Sequence, residues 1–374
     1  MKRRDWLRAT SVLAGIAGLP GPPTEGEDGA SLRTEIVRLR LRHTWTTTMS
    51  ASDHRDTLHV HFERDGVRGV GEGAPIVRYN ESAAAARAAL EAVRDLVLAA
   101  DPWAVERVMA DVSPHLEGQY AARAALDIAL HDWIGRRLGI PLFRLLGLEA
   151  GDAPLTTFSI GIDTPEITRL KVREAAAFPV LKVKVGLDTD EATIEAVRSV
   201  TGKPLRVDAN EGWKDKETAI RKIDWLSRRG VELVEQPLPA PMLEEAAWVR
   251  ERAPIPVFAD EACLRAADIP RLAGAYDGVN IKLDKAGGIC EALRMIHVGR
   301  ACSLRVMLGC MISSSVSTTA AAHLSPLVDF ADLDGHLLVA NDPWIGVEVR
   351  DGRLVLPDRP GLGLLPREAG SVPG

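Results

Sequence analysis

The sequence predicts an α/β protein in which a β/α barrel follows a small α+β capping domain. Short apolar strands recur about two dozen residues apart between residues 158 and 334, the interval that one strand plus one crossover helix requires. The stretch before them has a different pattern, alternating strands and then Ala-rich helices. Charged residues gather at the C-terminal ends of the predicted barrel strands, where a barrel builds its site. A doubly wound open sheet is the alternative, but no Gly-rich phosphate turn follows the first strand.

The 374 residues are 46% hydrophobic and 26% charged, long enough for both parts and too apolar for a disordered chain. With 46 basic against 52 acidic residues and a formal net charge of −6, the chain has no electrostatic reason to hold a polyanion, and nucleic acid is not an expected partner. No apolar run reaches the length of a membrane span, so no membrane partner is expected. The four cysteines, Cys263, Cys290, Cys302 and Cys310, contain no CxxC spacing, which argues against a zinc site or disulfide framework.

Residues 1–30 read as an address and a linker. Arg3 and Arg4, followed by Trp6 and Leu7 and by a mildly apolar run from Ser11 to Leu19, are similar to a twin-arginine export signal. The expected location is periplasmic, with a basic cytoplasmic tail as the alternative. Residues 31–150 read as the capping domain. Strand-like alternation runs from Leu32 to Gly73, and helical spacing covers Glu81–Ala99, Pro102–Met109 and Tyr120–Leu138, the last stopped by Gly139 and Pro141. Residues 151–345 carry eight barrel strands: Phe158–Ile162, Leu181–Val185, Leu205–Asp208, Leu233–Glu235, Val257–Asp260, Val279–Leu283, Arg305–Leu308 and Phe330–Asp334. Residues 346–374 form a C-terminal segment.

The strand ends carry the chemistry. In Leu181-Lys182-Val183-Lys184-Val185 the two lysines alternate with apolar residues, so both point one way. The next strands end in Val207-Asp208-Ala209-Asn210, Val234-Glu235-Gln236-Pro237, Ala259-Asp260-Glu261 and Asn280-Ile281-Lys282, and the last in Ala331-Asp332-Leu333-Asp334. Taken singly, a strand lysine is a solvated edge residue and a strand-end carboxylate a helix cap. Lysines and carboxylates at five consecutive ends are a site, because charges buried at one mouth must compensate each other or bind a metal. Three oxygen ligands suit a hard octahedral cation, most simply Mg²⁺.

Lys182-Val183-Lys184, Asp208, Glu235, Asp260 and Lys282 together resemble the enolase superfamily in its muconate-lactonizing subgroup. The resemblance runs from Leu32 to Leu365 and includes Ala125–Asp132 and Gly139-Ile140-Pro141-Leu142. Gly309-Cys310-Met311 and Asp332-Leu333-Asp334 are similar to the dipeptide epimerases within it. The resemblance implies a (β/α)7β TIM-like barrel whose N-terminal α+β capping domain is completed by the C-terminal segment. It implies one Mg²⁺ per subunit, held by Asp208, Glu235 and Asp260, with no other cofactor. The implied catalytic residues are Lys184 and Lys282, one on each face of a planar enediolate, with Lys182 beside them. Ser159, Lys182, Cys310, Asp332 and Asp334 are the implied substrate contacts, the paired aspartates holding a free α-ammonium.

The implied reaction is inversion of the C-terminal α-carbon of a small dipeptide by 1,1-proton transfer, on murein-derived substrates such as Ala-Glu, with a homo-oligomer compatible. Muconate cycloisomerase or o-succinylbenzoate synthase activity shares the lysines and carboxylates but has no use for an amine clamp. An exported peptide-binding protein without activity would need neither lysine. The chain departs from many relatives in carrying Ser313 where they have glutamate. Its Thr44–Arg55 loop lacks the arginine-rich pattern associated with a substrate side-chain carboxylate, leaving Arg55 and Arg78 as the available cations. His59 and His61 alternate on a strand without a third ligand nearby, and Trp213 reads equally as a pocket wall or a packed loop residue.

Overall fold

The computed structural model describes residues 29–368, so the predicted export signal and most of the linker lie outside the described residues. The first part is an antiparallel meander of β1 (Ser31–Thr46), β2 (Ala51–Arg64) and β3 (Val67–Gly73). Helices α1 (Ala83–Ala92), α2 (Arg94–Ala99), α3 (Val105–Val112) and α4 (Tyr120–Leu138) follow. The single helix expected over Glu81–Ala99 is broken at Val93, whose ψ of 7° interrupts the α-helical run. The third helix starts at Val105 rather than Pro102.

Helix α4 lies against β3 at backbone contact, for a reason visible in the residues. Gly69, Gly71 and Gly73 occupy one face of β3, and Ala121, Ala125 and Ala129 one stripe of α4. A Cβ at Gly71 would overlap the Ala125 carbonyl, and at Gly69 and Gly73 the carbonyls of Ala129 and Ala121. Left-handed Gly139 (φ 72°) ends the helix.

Short helix α5 (Leu142–Leu145) leads to the barrel. Its first half runs β4 (Phe158–Ile160), α6 (Pro165–Glu174), β5 (Leu181–Lys184), α7 (Asp190–Arg198), β6 (Leu205–Asp208), α8 (Lys216–Ser227) and β7 (Val231–Glu235). The second half runs α9 (Leu243–Arg250), β8 (Val257–Ala259), α10 (Ile269–Leu272), β9 (Gly278–Lys282), α11 (Leu283–Ala286), α12 (Ile289–Ala301), β10 (Arg305–Gly309), α13 (Ser315–Leu324) and β11 (Phe330–Asp332). The eight strands pair in parallel in chain order. This is a nearly closed (β/α)7β barrel with an N-terminal antiparallel cap.

No β-ladder joins the first and last strands; side chains bridge that seam. The Leu333 amide donates to Thr156 Oγ1 (2.7 Å), Thr157 Oγ1 to Asp332 Oδ1 (2.5 Å) and the Ser159 amide to Asp334 Oδ2 (2.5 Å). The strand expected to reach Asp334 ends at Asp332, because backbone pairing stops where these side-chain bonds take over. The C-terminal segment forms small pairings, β12 (Trp344–Ile345) with β15 (Leu365–Pro366) and β13 (Glu348–Arg350) with β14 (Arg353–Val355). It returns to α4: Asp132 accepts from the Leu362 amide (2.7 Å) and, with its other oxygen, from the Val70 amide (2.9 Å).

Replacing Gly71 with Val should destabilise the protein by about 1–3 kcal/mol, since no flexible side chain can yield to the added carbons. A thermal melt of the variant within experimental error of wild type would show that the strand–helix contact can open without cost.

Candidate active site

Register sets the height of the charged groups. Lys184 pairs with Asp208 and Asp208 with Glu235 across β5, β6 and β7, so the three stand in one row. On the other side Lys282, Gly309 and Asp332 align across β9, β10 and β11. Asp260 follows the end of β8. The loops after β6 and β7 leave ordinary strand geometry at once: Asn210, Glu211 and Gln236 have φ of 39°, 61° and 35°, a left-handed region that costs a non-glycine residue energy. Specific bonds hold these turns. The Asn210 amide donates to Asp208 Oδ1 (3.0 Å), and Gln236 Oε1 accepts from the amides of Asp260 (2.8 Å) and Ala262 (3.2 Å).

Asp208, Glu235 and Asp260 are all buried, and each presents an oxygen within 4.8 Å of the others'. Lys184 Nζ donates to Asp208 Oδ2 and Lys282 Nζ to Asp260 Oδ2, both at 2.6 Å. Lys182 Nζ lies 2.6 Å from Asp332, 2.8 Å from Glu235 and 3.2 Å from Asp208. Sequence reasoning missed Lys285, on the single turn α11 after β9, which donates to Asp260 Oδ1 and to the Asp260 carbonyl, both at 2.5 Å. It also missed Asn280, which donates to Glu235 Oε1 (2.8 Å). Only the Lys282-x-x-Lys285 spacing pointed to the first, and nothing local to the second.

Burial favours the neutral form of each acid and base, and the neighbours decide which charges survive. Burial opposes the Lys182 ammonium, yet Asp332, Glu235 and Asp208 raise its pKa well above the ordinary value. Burial likewise opposes the Lys282 ammonium, and Asp260 with Glu235 raises it. Burial would raise Asp260, but Lys282 and Lys285 hold it well below the ordinary carboxylate range. Glu235, pushed up by burial and then by Asp208, rises to about 8. Glu261 rises to about 8 through burial and the Asp260 charge. Six acids (Asp208, Glu235, Asp260, Glu261, Asp332 and Asp334) face four lysines, a formal excess of two that the raised values of Glu235 and Glu261 relieve by keeping a proton on each.

The pocket above these groups is lined by Ser159, Cys310, Asp332 and Asp334 from the barrel and by Trp45, Met49, Arg55 and Arg78 from the capping half. Asp334 reaches it although it lies beyond the strand, so period-two alternation is not what aims it alongside Asp332; the bond from the Ser159 amide does that. Cys310 Sγ donates to the Asp332 carbonyl and accepts from the Gly335 amide, both at 3.3 Å. Burial, then Asp334 and Asp332, push its thiol well up. Ser313 is buried against Thr318 Oγ1 at 3.2 Å and does not line the pocket. Trp213 is also buried away from it, its Nε1 donating to Asp190 (2.9 Å). His59 lies 3.4 Å from Glu72, and His61 is 4.0 Å from Glu35; neither belongs to a metal-competent cluster among the described residues.

A cap-and-barrel enzyme with a buried carboxylate trio flanked by lysines is the class that fold and site define. Family models match both parts: "Mandelate racemase / muconate lactonizing enzyme, N-terminal domain" over residues 32–147 and "Enolase C-terminal domain-like" over 167–370. The chain belongs to this mandelate racemase/muconate lactonizing enzyme family of the enolase superfamily. It is 43% identical over 328 residues to the L-Ala-D/L-Glu epimerase of Bacteroides thetaiotaomicron, covering 87% of this chain and 85% of that protein. It is 42% identical over 330 residues to the L-Ala-D/L-amino acid epimerase of Pedosphaera parvula, covering 86% and 94%. The dipeptide epimerase from Enterococcus faecalis V583, solved with Mg and the dipeptide L-Leu-L-Tyr, superposes with a TM-score of 0.84 at 31% identity, covering 90% of this chain and 98% of that one. The chain is accordingly an isomerase of the racemase and epimerase type.

Cys310 should resist alkylation. At about pH 8 a thiol of raised pKa is almost wholly protonated, so iodoacetamide should leave Cys310 intact in the folded protein and modify it once denatured. Rapid native labelling at Cys310, read by peptide mass spectrometry, would instead mark a reactive thiolate.

Proposed function

We propose that this protein is a Mg²⁺-dependent dipeptide epimerase that inverts the α-carbon of the C-terminal residue by 1,1-proton transfer. The observation that carries the reading is the placement of Lys184 and Lys282. They stand on β5 and β9, four strands apart in an eight-stranded barrel, each hydrogen-bonded to a different member of the carboxylate trio. Half a barrel separates them, so a substrate bound at the trio is flanked on two sides.

Asp208, Glu235 and Asp260 would hold the cation. Their oxygens converge within 4.8 Å of one another, and the crowding of acids there raises Glu235 to about 8, a proton that a bound cation would replace. These features fit a hard divalent ion. When bound, the cation supplies stabilisation of the negative charge that develops on the substrate carboxylate.

The lysines do the proton work. An α-proton beside a carboxylate is very weakly acidic, so its removal needs a neutral amine in contact with it, and its return on the other face needs an ammonium. Lys184 and Lys282 exchange these roles with the direction of reaction. Lys182 does not share in this: held by three carboxylates, it keeps its charge and fixes their positions.

Asp332 is committed to Lys182 and Thr157, whereas Asp334 has one oxygen bonded to the Ser159 amide and the other 3.4 Å from Ser159 Oγ. Asp334 is therefore the member of the pair with acceptor capacity for a dipeptide ammonium. The twin-arginine pattern at residues 3–7 supports export to the periplasm, where murein-derived dipeptides such as Ala-Glu are within reach.

Dipeptides incubated in D₂O with Mg²⁺ should gain deuterium at the C-terminal α-position, lose that activity on chelation and regain it with Mg²⁺. Lys184→Ala and Lys282→Ala should each abolish epimerisation while retaining α-exchange of one stereoisomer, the one whose proton faces the surviving lysine. Either variant epimerising at near wild-type rate would refute the two-base assignment.

Asp334→Asn should lower kcat/KM for free dipeptides by roughly 10–150-fold, the equivalent of about 1.5–3 kcal/mol for one charge-assisted contact. An N-acetylated dipeptide, already poor, should lose little more. Equal losses on both substrates would mean that Asp334 does not read the amine, and would favour the cycloisomerase reading.

A further inference from the structure

Two sets of metal-ligating side chains converge among the described residues. One is the carboxylate trio. The other is Asp127, His131 and Cys290, all buried, whose ligand atoms also lie within 4.8 Å of one another. Asp127 and His131 stand four residues apart on α4, so they share a face of the cap helix. Cys290 is the second residue of α12 and comes from the barrel. Cysteine spacing gives no sign of this set, because only one of its members is a cysteine and the other two lie on a distant helix.

Backbone bonds hold the three in place. The Ile289 and Cys290 amides donate to Asp127 Oδ1 (2.6 Å) and Oδ2 (3.3 Å), and His131 Nδ1 lies 2.9 Å from the Asp127 carbonyl. Each carboxylate oxygen keeps a second lone pair, and an imidazole with one nitrogen bonded to a carbonyl is the arrangement that ligating histidines use. Burial opposes the His131 imidazolium, but Asp127 raises its pKa. Burial and then Asp127 push the Cys290 thiol well up. The Asp127 charge is thus met by a proton, which a cation can replace.

A cleft reaches the cluster. Met109 from α3, Asp127 from α4, and Cys290 and Glu291 from α12 line it, and it offers a path of entry and a place for a metal-bound water. Arg123 and Arg294 border it as well, but Arg294 is engaged by Glu106 and Glu291, and neither guanidinium is bonded to Asp127.

We infer that Asp127, His131 and Cys290 form a second metal site, which takes Zn²⁺ and ties the cap to the barrel. Carboxylate, imidazole and thiolate together suit this borderline-soft cation, whereas Mg²⁺ prefers oxygen alone. Ligand atoms of a tetrahedral zinc site lie about 3.3–3.7 Å apart, so small side-chain shifts close the set on the ion. Binding releases two protons to solvent, one from the thiol and one from the imidazolium. The site stands apart from the epimerase reading, and its failure would leave that reading intact.

The test adds Co²⁺, as a coloured stand-in for Zn²⁺, to the full protein with Mg²⁺ in excess. Thiolate bound to Co²⁺ gives a near-ultraviolet charge-transfer band that oxygen and nitrogen ligands do not. The band should saturate, bleach when Zn²⁺ displaces Co²⁺, and vanish in Cys290→Ser. It should persist in Cys310→Ser, whose thiol borders the carboxylate trio instead. His131→Gln should weaken binding by at least about tenfold. Zn²⁺ should also raise the melting temperature of the wild type and not that of Cys290→Ser, whose metal-free melt shows that the variant is folded. A wild type without the band, a band that survives Cys290→Ser or is lost in Cys310→Ser, or unchanged affinity in His131→Gln would overturn the site.

Discussion

The structure depends on one electrostatic constraint: six carboxylates and four ammonium groups are buried together at the barrel mouth. No single pair there is independent. Lys182 touches Asp332, Glu235 and Asp208, and Asp260 serves Lys282 and Lys285 at once. Removing any one cation would shift the balance for every acid that shares it, and a buried charge left under-compensated costs far more than a surface ion pair is worth. The network therefore fixes side-chain positions more than it adds net stability.

A second set of buried carboxylates fixes the cap. Glu72, at the end of β3, accepts from the Ser314 amide and hydroxyl and from the Ser317 amide at the start of α13 (2.9, 2.6 and 3.1 Å). Burial opposes its charge, but His59 and Ser314 hold its pKa down at about 2, and the positive end of α13 suits an anion. Asp284 accepts from the Ala74 amide (2.7 Å) two residues further on. These acids anchor the cap strands on the barrel through directional bonds to backbone amides, so the β1–β2 turn is carried to a defined place over the mouth.

Most of the barrel was legible because its strands are short and almost wholly buried, and five of the eight end in a charged residue. Leu205–Asp208 could be read residue for residue from its apolar run and terminal Asp. Lys182 and Lys184 were legible for a related reason: alternation in Leu181–Lys184 is a local property. What was not legible depends on contacts between distant segments. Asp334 was placed on a strand that stops two residues earlier, because the seam bonds from Thr156, Thr157 and Ser159 replace the ladder. Trp213 could not be told from a pocket wall until Asp190, on the preceding helix, proved to hold its indole. Arg55 and Arg78 looked alike in sequence; only the position of Glu211 separates a paired guanidinium from an unpaired one.

The division of labour between the two parts follows from how each is built. Barrel groups sit at strand ends, where parallel register limits a side chain to one height and neighbouring strands to about 4.8 Å of lateral spacing. That precision suits ligands and bases, which tolerate little displacement. The cap reaches the same pocket by a turn between two long antiparallel strands, whose residues can change without moving any barrel strand. A substitution at Met49 or Arg55 changes the pocket wall alone, whereas one at Asp260 disturbs Lys282, Lys285 and the trio together. Within this architecture the pocket wall can change through the turn while the acids and lysines at the strand ends stay fixed by their own charges.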